Sequence, residues 1–139
     1  MSTNAIIFFQ DDETSELQSS GVYQHWDGYP SGVQETINNT IESGLAWELP
    51  RFEADEFAAA FIAANKKERG NIRHIDTNNM HNRYFDFIYF VQYDDDLGIT
   101  VIVGHNTGEQ DELTDQYKYQ CNWTGLLKDL HVAYAKEAA

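Results

Sequence analysis

Five consecutive apolar residues, Ala5-Ile6-Ile7-Phe8-Phe9, open the hydrophobic pattern and predict a strand covered on both faces. Residues 10–20 are polar and acidic, a loop leading to a second strand over 22–26, where Val22, Tyr23 and Trp26 are β-branched or aromatic. A hairpin is the simplest pairing of the two. Asp27-Gly28 ends the strand and Tyr29-Pro30-Ser31-Gly32 starts a helix, since proline suits a first helical turn and the residue before it avoids helical angles. Val33, Ile37 and Ile41 recur every fourth position up to Ser43-Gly44, a glycine stop. Residues 45–52 form an irregular connector whose Trp47 and Leu49 are expected to cover the core. A second helix over 53–67 presents Phe57, Ala60, Phe61 and Ala64 on one face, with acids at its start and Lys66-Lys67 near its end.

The alternation over 84–93 is the clearest strand signal, placing Phe85, Phe87, Tyr89, Val91 and Tyr93 on one side. Asp94-Asp95-Asp96-Leu97-Gly98 is a hairpin turn, and 99–103 its return strand. Residues 104–115 read as an acidic loop and 116–122 as another alternating strand. A third helix is expected over 123–135, buried through Leu126, Leu127, Leu130 and Tyr134, with Asn122 and Thr124 as candidate caps. The pattern predicts an α+β fold, a single domain over 1–139. Its antiparallel sheet has about five strands, with about three helices packed mainly on one face.

Composition agrees with a folded chain, at 42% apolar and 14% aromatic. Charge narrows the partners. With 23 acidic against 9 basic residues, the net charge of −14 repels phosphate backbones and anionic membranes. No direct nucleic-acid or membrane partner is expected, and a basic protein surface remains. The single cysteine, Cys121, cannot form an internal disulfide and fits a reducing cytoplasm; between Tyr119 and Trp123 it reads as buried filler. The first residues lack the pattern of a secretory signal, and no apolar run reaches the roughly 18 residues of a membrane span. The acidic loops lack EF-hand spacing, and His-Glu-x-x-His and paired cysteines are missing, so no metal or cofactor is expected. Lys66-Lys67-Glu68-Arg69-Gly70 to Arg73-His74 is the one basic run, either an anion patch or a local balance for neighbouring acids.

Candidate chemistry concentrates in Tyr23-Gln24-His25-Trp26-Asp27-Gly28-Tyr29-Pro30-Ser31-Gly32. The strand–turn–helix corner brings a histidine, a carboxylate and three large aromatics to a point where the chain must surface. Alternation puts Tyr23 and His25 on one side of the strand, Gln24 and Trp26 on the other. Free N–H groups at the helix start would favour an anion. Each residue also has a purely structural reading, as core aromatic, turn or cap.

Tyr-x-His-Trp-Asp-Gly-Tyr-Pro resembles the signature of a family of small, uncharacterised phage, prophage and bacterial proteins. In that family the string follows a strand and a short acidic loop and precedes a helix, the layout met here. A weaker similarity continues at Phe61-Ile62-Ala63-Ala64-Asn65 and at Arg83-Tyr84. The resemblance implies a phage-type accessory protein, which would work in the host cytoplasm, and no particular activity.

Three functions compete. The first is a non-catalytic binding module for a small anionic or nucleotide-like ligand, one version of which captures a host defence signalling nucleotide. Its candidate ligand-binding residues are Tyr23, His25, Trp26, Asp27, Tyr29, Ser31, Asn65, Arg69 and Tyr84. The second is an acidic inhibitor that occupies a basic, nucleic-acid-binding surface of a host protein, using its loops at 11–16, 94–96 and 109–115. The third is a hydrolase with His25 and Asp27 as base and acid. Exposed aromatics and a sheet edge would also allow a homo-oligomer.

Overall fold

A strand that is apolar at every position needs cover on both faces and a neighbour on both edges, and β1 (Ala5–Phe9) has all four. The computed structural model describes residues 2–11, 21–75 and 83–133. β1 pairs antiparallel with β2 (Gly21–Gln24), in the register Ala5↔Gln24 to Phe8↔Gly21. On its other edge it pairs in parallel with β4 (Phe87–Asp94), Ala5 opposite Phe87 and Phe9 opposite Val91. β3 (Ile72–Ile75) extends the sheet beyond β2, and β5 (Gly98–Gln110) and β6 (Tyr117–Leu126) extend it beyond β4. The described strands thus form one six-stranded mixed sheet in the order β3-β2-β1-β4-β5-β6.

Both long helices cover the same face. α1 (Pro30–Ser43) contributes Val33 and Ile37, and α2 (Ala54–Asn65) contributes Phe57, Ala58 and Phe61. They meet Ile7, Phe9, Val22, Tyr89, Val91 and Val101 from the sheet, and Phe9 sits between the rings of Phe57 (5.3 Å) and Phe61 (5.4 Å). The opposite face carries a second apolar cluster of Ile6, Phe8, Tyr23, Ile75 and Phe85. Two covered faces explain why alternation is absent from β1, and β4 alternates because its Ile88 and Phe90 are only partly covered by the second cluster.

Several expectations need correction. The sheet is mixed and has more than five strands, because β1 and β4 pair in parallel across a long intervening stretch that no local pattern encodes. β3 hides in the basic run: only Ile72 and Ile75 are buried, while Arg73 and His74 face out. Residues 104–110 are strand, not loop. Gly104 and His105 still pair with Ile88 and Phe87 at the start of β4, and beyond them the strand runs on against β6 with its exposed residues 107–110.

The third helix does not form over 123–131. Trp123 and Thr124 pair with Val103 and Ile102, and a single 3-10 turn, Leu127–Asp129, then buries Leu127 and Leu130. The aromatic and β-branched residues suit an edge strand, and a leucine spacing this short does not discriminate helix from turn. Trp47 is 47% exposed rather than core, and Cys121 is exposed on β6 rather than buried. The expected loop at 12–20, the polar, asparagine-rich stretch 76–82 that the sequence also reads as a loop, the side chain of Asn122 and residues 134–135 lie outside what is described. No helix among the described residues is long and apolar enough to cross a membrane.

Candidate functional site

β2 ends at Gln24, one residue short of the histidine, and the corner that follows is fixed by packing. Gln24 is 2% exposed; its amide N–H groups donate to the carbonyls of Trp26 (3.1 Å) and Asp27 (2.9 Å), and its Oε1 accepts from Thr36 Oγ1 (3.0 Å) on α1. Asp27 adopts a left-handed φ of 57°. Gly28 lies directly on the backbone of Asn4 and Ala5, where a Cβ would collide at 2.7–2.9 Å. Its N–H donates to the Thr3 carbonyl, and its carbonyl accepts from the Tyr89 hydroxyl at 2.7 Å. Gly32 sits under the Asp27 carbonyl so closely that no side chain fits. The two glycines, the proline and Gln24 therefore shape the corner.

What the corner presents is different in kind. Trp26 is 43% exposed, Asp27 is exposed and His25 is half-buried. As alternation predicts, Tyr23 and His25 share a side, with the Tyr23 hydroxyl 2.6 Å from His25 Nδ1. Asn4 Nδ2 donates to the same hydroxyl (3.3 Å). If that hydroxyl in turn donates to Nδ1, Nε2 remains as the imidazole's N–H donor. Trp26 stands edge-on to the imidazole at 4.7 Å.

Two arginines complete the cluster. Arg73 on β3 is the register partner of Tyr23 and holds its guanidinium 5.5 Å from the Tyr23 ring centre. Arg83, just before β4, lies 5.9 Å from the same ring and 5.6 Å from that of Phe85. Guanidinium–ring contacts of this kind hold an arginine in place while leaving its N–H groups available to an anion.

The remaining candidates divide. Tyr29 donates its hydroxyl to Asp27 Oδ1 at 3.1 Å, so His25 and Asp27 are each engaged by a tyrosine and share no hydrogen bond. Tyr84 adjoins the cluster through Asn4, which donates to its carbonyl, and its exposed ring meets Tyr117 edge-on at 5.0 Å. Burial raises the Tyr84 hydroxyl pKa, helped by the nearby Asp86 carboxylate and by Tyr117. Asn65 is elsewhere. It is buried between the helices, donating to the Thr36 and Phe61 carbonyls and Thr40 Oγ1. Arg69 is exposed in the turn after α2, and no hydrogen bond or ring contact joins it to the cluster.

Ser31 is exposed in the first turn of α1. Pro30 has no N–H there, and the N–H groups of Gly32 and Val33 already donate to the Tyr29 carbonyl. Ser31 N–H alone is left for a ligand, a poorer anion cradle than the helix start promised.

Sequence reasoning missed Asn4, Arg73 and Arg83 as members of the cluster. Arg73 comes to Tyr23 by strand pairing, visible only if β3 is recognised. Arg83 carried a signal as the neighbour of Tyr84 in a quoted pair. No group of three potential metal-ligating side chains gathers among the described residues. The fold and the cluster together define a small α+β protein on one mixed sheet, with an aromatic and cationic cluster at the end where β1 and β4 begin. Compared with known protein families, curated proteins and solved structures, the chain matches none.

Proposed function

We propose that this chain is a phage-type accessory protein that binds a nucleotide-like ligand at the Tyr23–His25–Trp26 cluster and does not transform it. The observation that carries this reading is the pairing of an exposed tryptophan with two guanidiniums on one tyrosine ring, in a chain of net charge −14. Acidic proteins gain nothing in solubility from such a cluster. An aromatic face stacks a base, and planar guanidinium forks hold phosphate oxygens by paired N–H donors. The imidazole N–H is a further donor. Asp27 would discriminate, repelling a phosphate placed on its side or accepting from a sugar hydroxyl or base amine. Phage origin rests on the motif's resemblance alone, and capture of a defence signalling nucleotide is the concrete form that the reading takes.

Calorimetric titration with a panel of linear and cyclic nucleotides tests it. One member of the panel should saturate the wild-type protein. Trp26→Ala and the pair Arg73→Gln with Arg83→Gln should each weaken it by about tenfold or more, the loss of one stacked base or a paired phosphate contact. Absence of saturable binding across the panel, or equal binding by folded variants, would overturn the proposal.

A further inference from the structure

The opposite end of the sheet carries a second feature, independent of the Tyr23 cluster. There the C-terminal half of α1, the connector after it and the β4–β5 turn enclose two adjoining cavities of about 620 and 410 Å³. Both are walled by Ile41 and Leu49, so they form one continuous groove. Its floor includes Phe57 and Leu127 from the core, and its banks are Trp47 on one side and Leu97 on the other. Ile41 (38%), Trp47 (47%) and Leu97 (62%) are exposed large apolar side chains, and they lie along this groove. Scattered exposed apolar residues need no explanation, but three lining one concavity do.

The charge around the groove identifies the occupant. Glu48 lines the groove, the exposed carboxylates Glu42, Asp96 and Asp129 immediately adjoin lining residues in the chain, and the exposed Asp94 and Asp95 share the β4–β5 turn with Leu97. Lys128 is the lysine of the lining, and Arg51, whose guanidinium lies 3.7 Å from the Trp47 ring centre, is already paired with Glu53. A second copy of this chain would bring the same acidic rim against itself. A basic segment with apolar anchors matches both the floor and the rim. We infer that the groove docks a lysine- or arginine-rich amphipathic segment of a partner protein, its apolar side chains seated between Trp47 and Leu97 and its cations facing the carboxylates.

The test uses the full chain and a fluorescein-labelled amphipathic peptide of leucine and lysine, followed by anisotropy, with a leucine–glutamate peptide of the same pattern beside it. The leucine–lysine peptide should bind saturably and lose affinity with added salt. Replacing both exposed anchors, Ile41→Ser with Leu97→Ser, should weaken it about tenfold, as loss of a hot-spot contact does. Asp95→Asn with Asp96→Asn should weaken it severalfold and flatten its salt dependence. Because these last two side chains are exposed and support no packing, that variant reads the charge term even if the apolar one folds poorly. Leu113→Ser, at the far tip of the β5–β6 hairpin, removes an even more exposed leucine and should change nothing.

Four results would each overturn the inference. They are no saturable binding, equal binding of the glutamate peptide, equal loss in Leu113→Ser, and a dimer in light scattering that Ile41→Ser with Leu97→Ser disperses. The last would assign the groove to a second copy.

Discussion

Gly32 and Gly44 bracket α1 and are glycines for opposite reasons. At Gly32 a Cβ would overlap the Asp27 backbone, which is itself pinned by Gln24, so nothing flexible can give way. At Gly44 there is open space, and only its left-handed φ of 72° favours glycine. Gly32→Ala should therefore cost about 3 kcal/mol or more of unfolding free energy, and Gly44→Ala about 1 kcal/mol, measured by urea unfolding. Gln24→Ala removes the donor to the Trp26 and Asp27 carbonyls and the acceptor of Thr36 Oγ1, and should cost about 1–3 kcal/mol.

Tyr119 supplies a pH prediction. Burial pushes its hydroxyl pKa up to about 12, against hydrogen bonds from the Phe85 backbone and the Asn106 side chain that pull it down. Since the folded value exceeds that of an unfolded tyrosine, the folded state keeps a proton that the unfolded state has lost. Its contribution is present in full below about pH 10 and is lost as pH rises to about 12. The difference in stability between wild type and Tyr119→Phe should be constant up to the lower limit and shift against wild type above it.

At the scale of elements, α1 and α2 are joined by polar contacts as well as by their shared apolar face. Asn65 Nδ2 reaches the Thr36 carbonyl and Thr40 Oγ1 of α1, and Asn39 Nδ2 donates to Asn65 Oδ1. Asn65→Ala should cost about 2 kcal/mol and speed amide exchange in α2. Its place in a Phe-Ile-x-x-Asn segment is thus accounted for by packing. Asp11, expected in the polar, acidic loop after β1, accepts from the Ala54 N–H at 2.9 Å and so caps α2 from just beyond the end of β1. Asp11→Ala should cost about 1 kcal/mol, an ordinary N-cap loss.

The whole molecule carries a charge of −14, and its acids stand on exposed turns such as 94–96 and on the β5–β6 hairpin. Self-repulsion opposes the compact state, so screening should help. The thermal midpoint should rise as sodium chloride is added from low ionic strength, and a flat or falling profile would show that the charges are too dispersed to matter. The parallel β1–β4 pair at the centre of the sheet adds a topological feature: its partners are joined through α1, α2 and the β2–β3 edge.

Local pattern alone determined β1, both helices with the glycine stop of α1, the β4–β5 hairpin and the shared side of Tyr23 and His25. Each depends on residues close in sequence, where periodicity, turn chemistry and side-chain direction act directly. Only the tertiary structure decided the parallel pairing, the strand within the basic run, the extension of β5 and the fate of 123–131, because those depend on which backbone groups find distant partners. The candidate site divides along the same line. Its aromatic half was legible in one short motif, and its cationic half was not, since Arg73 and Arg83 reach Tyr23 through strand pairing and chain return. The groove was illegible for the same reason: Leu97 is remote in sequence from Ile41 and Trp47, and it joins them only when the chain has folded.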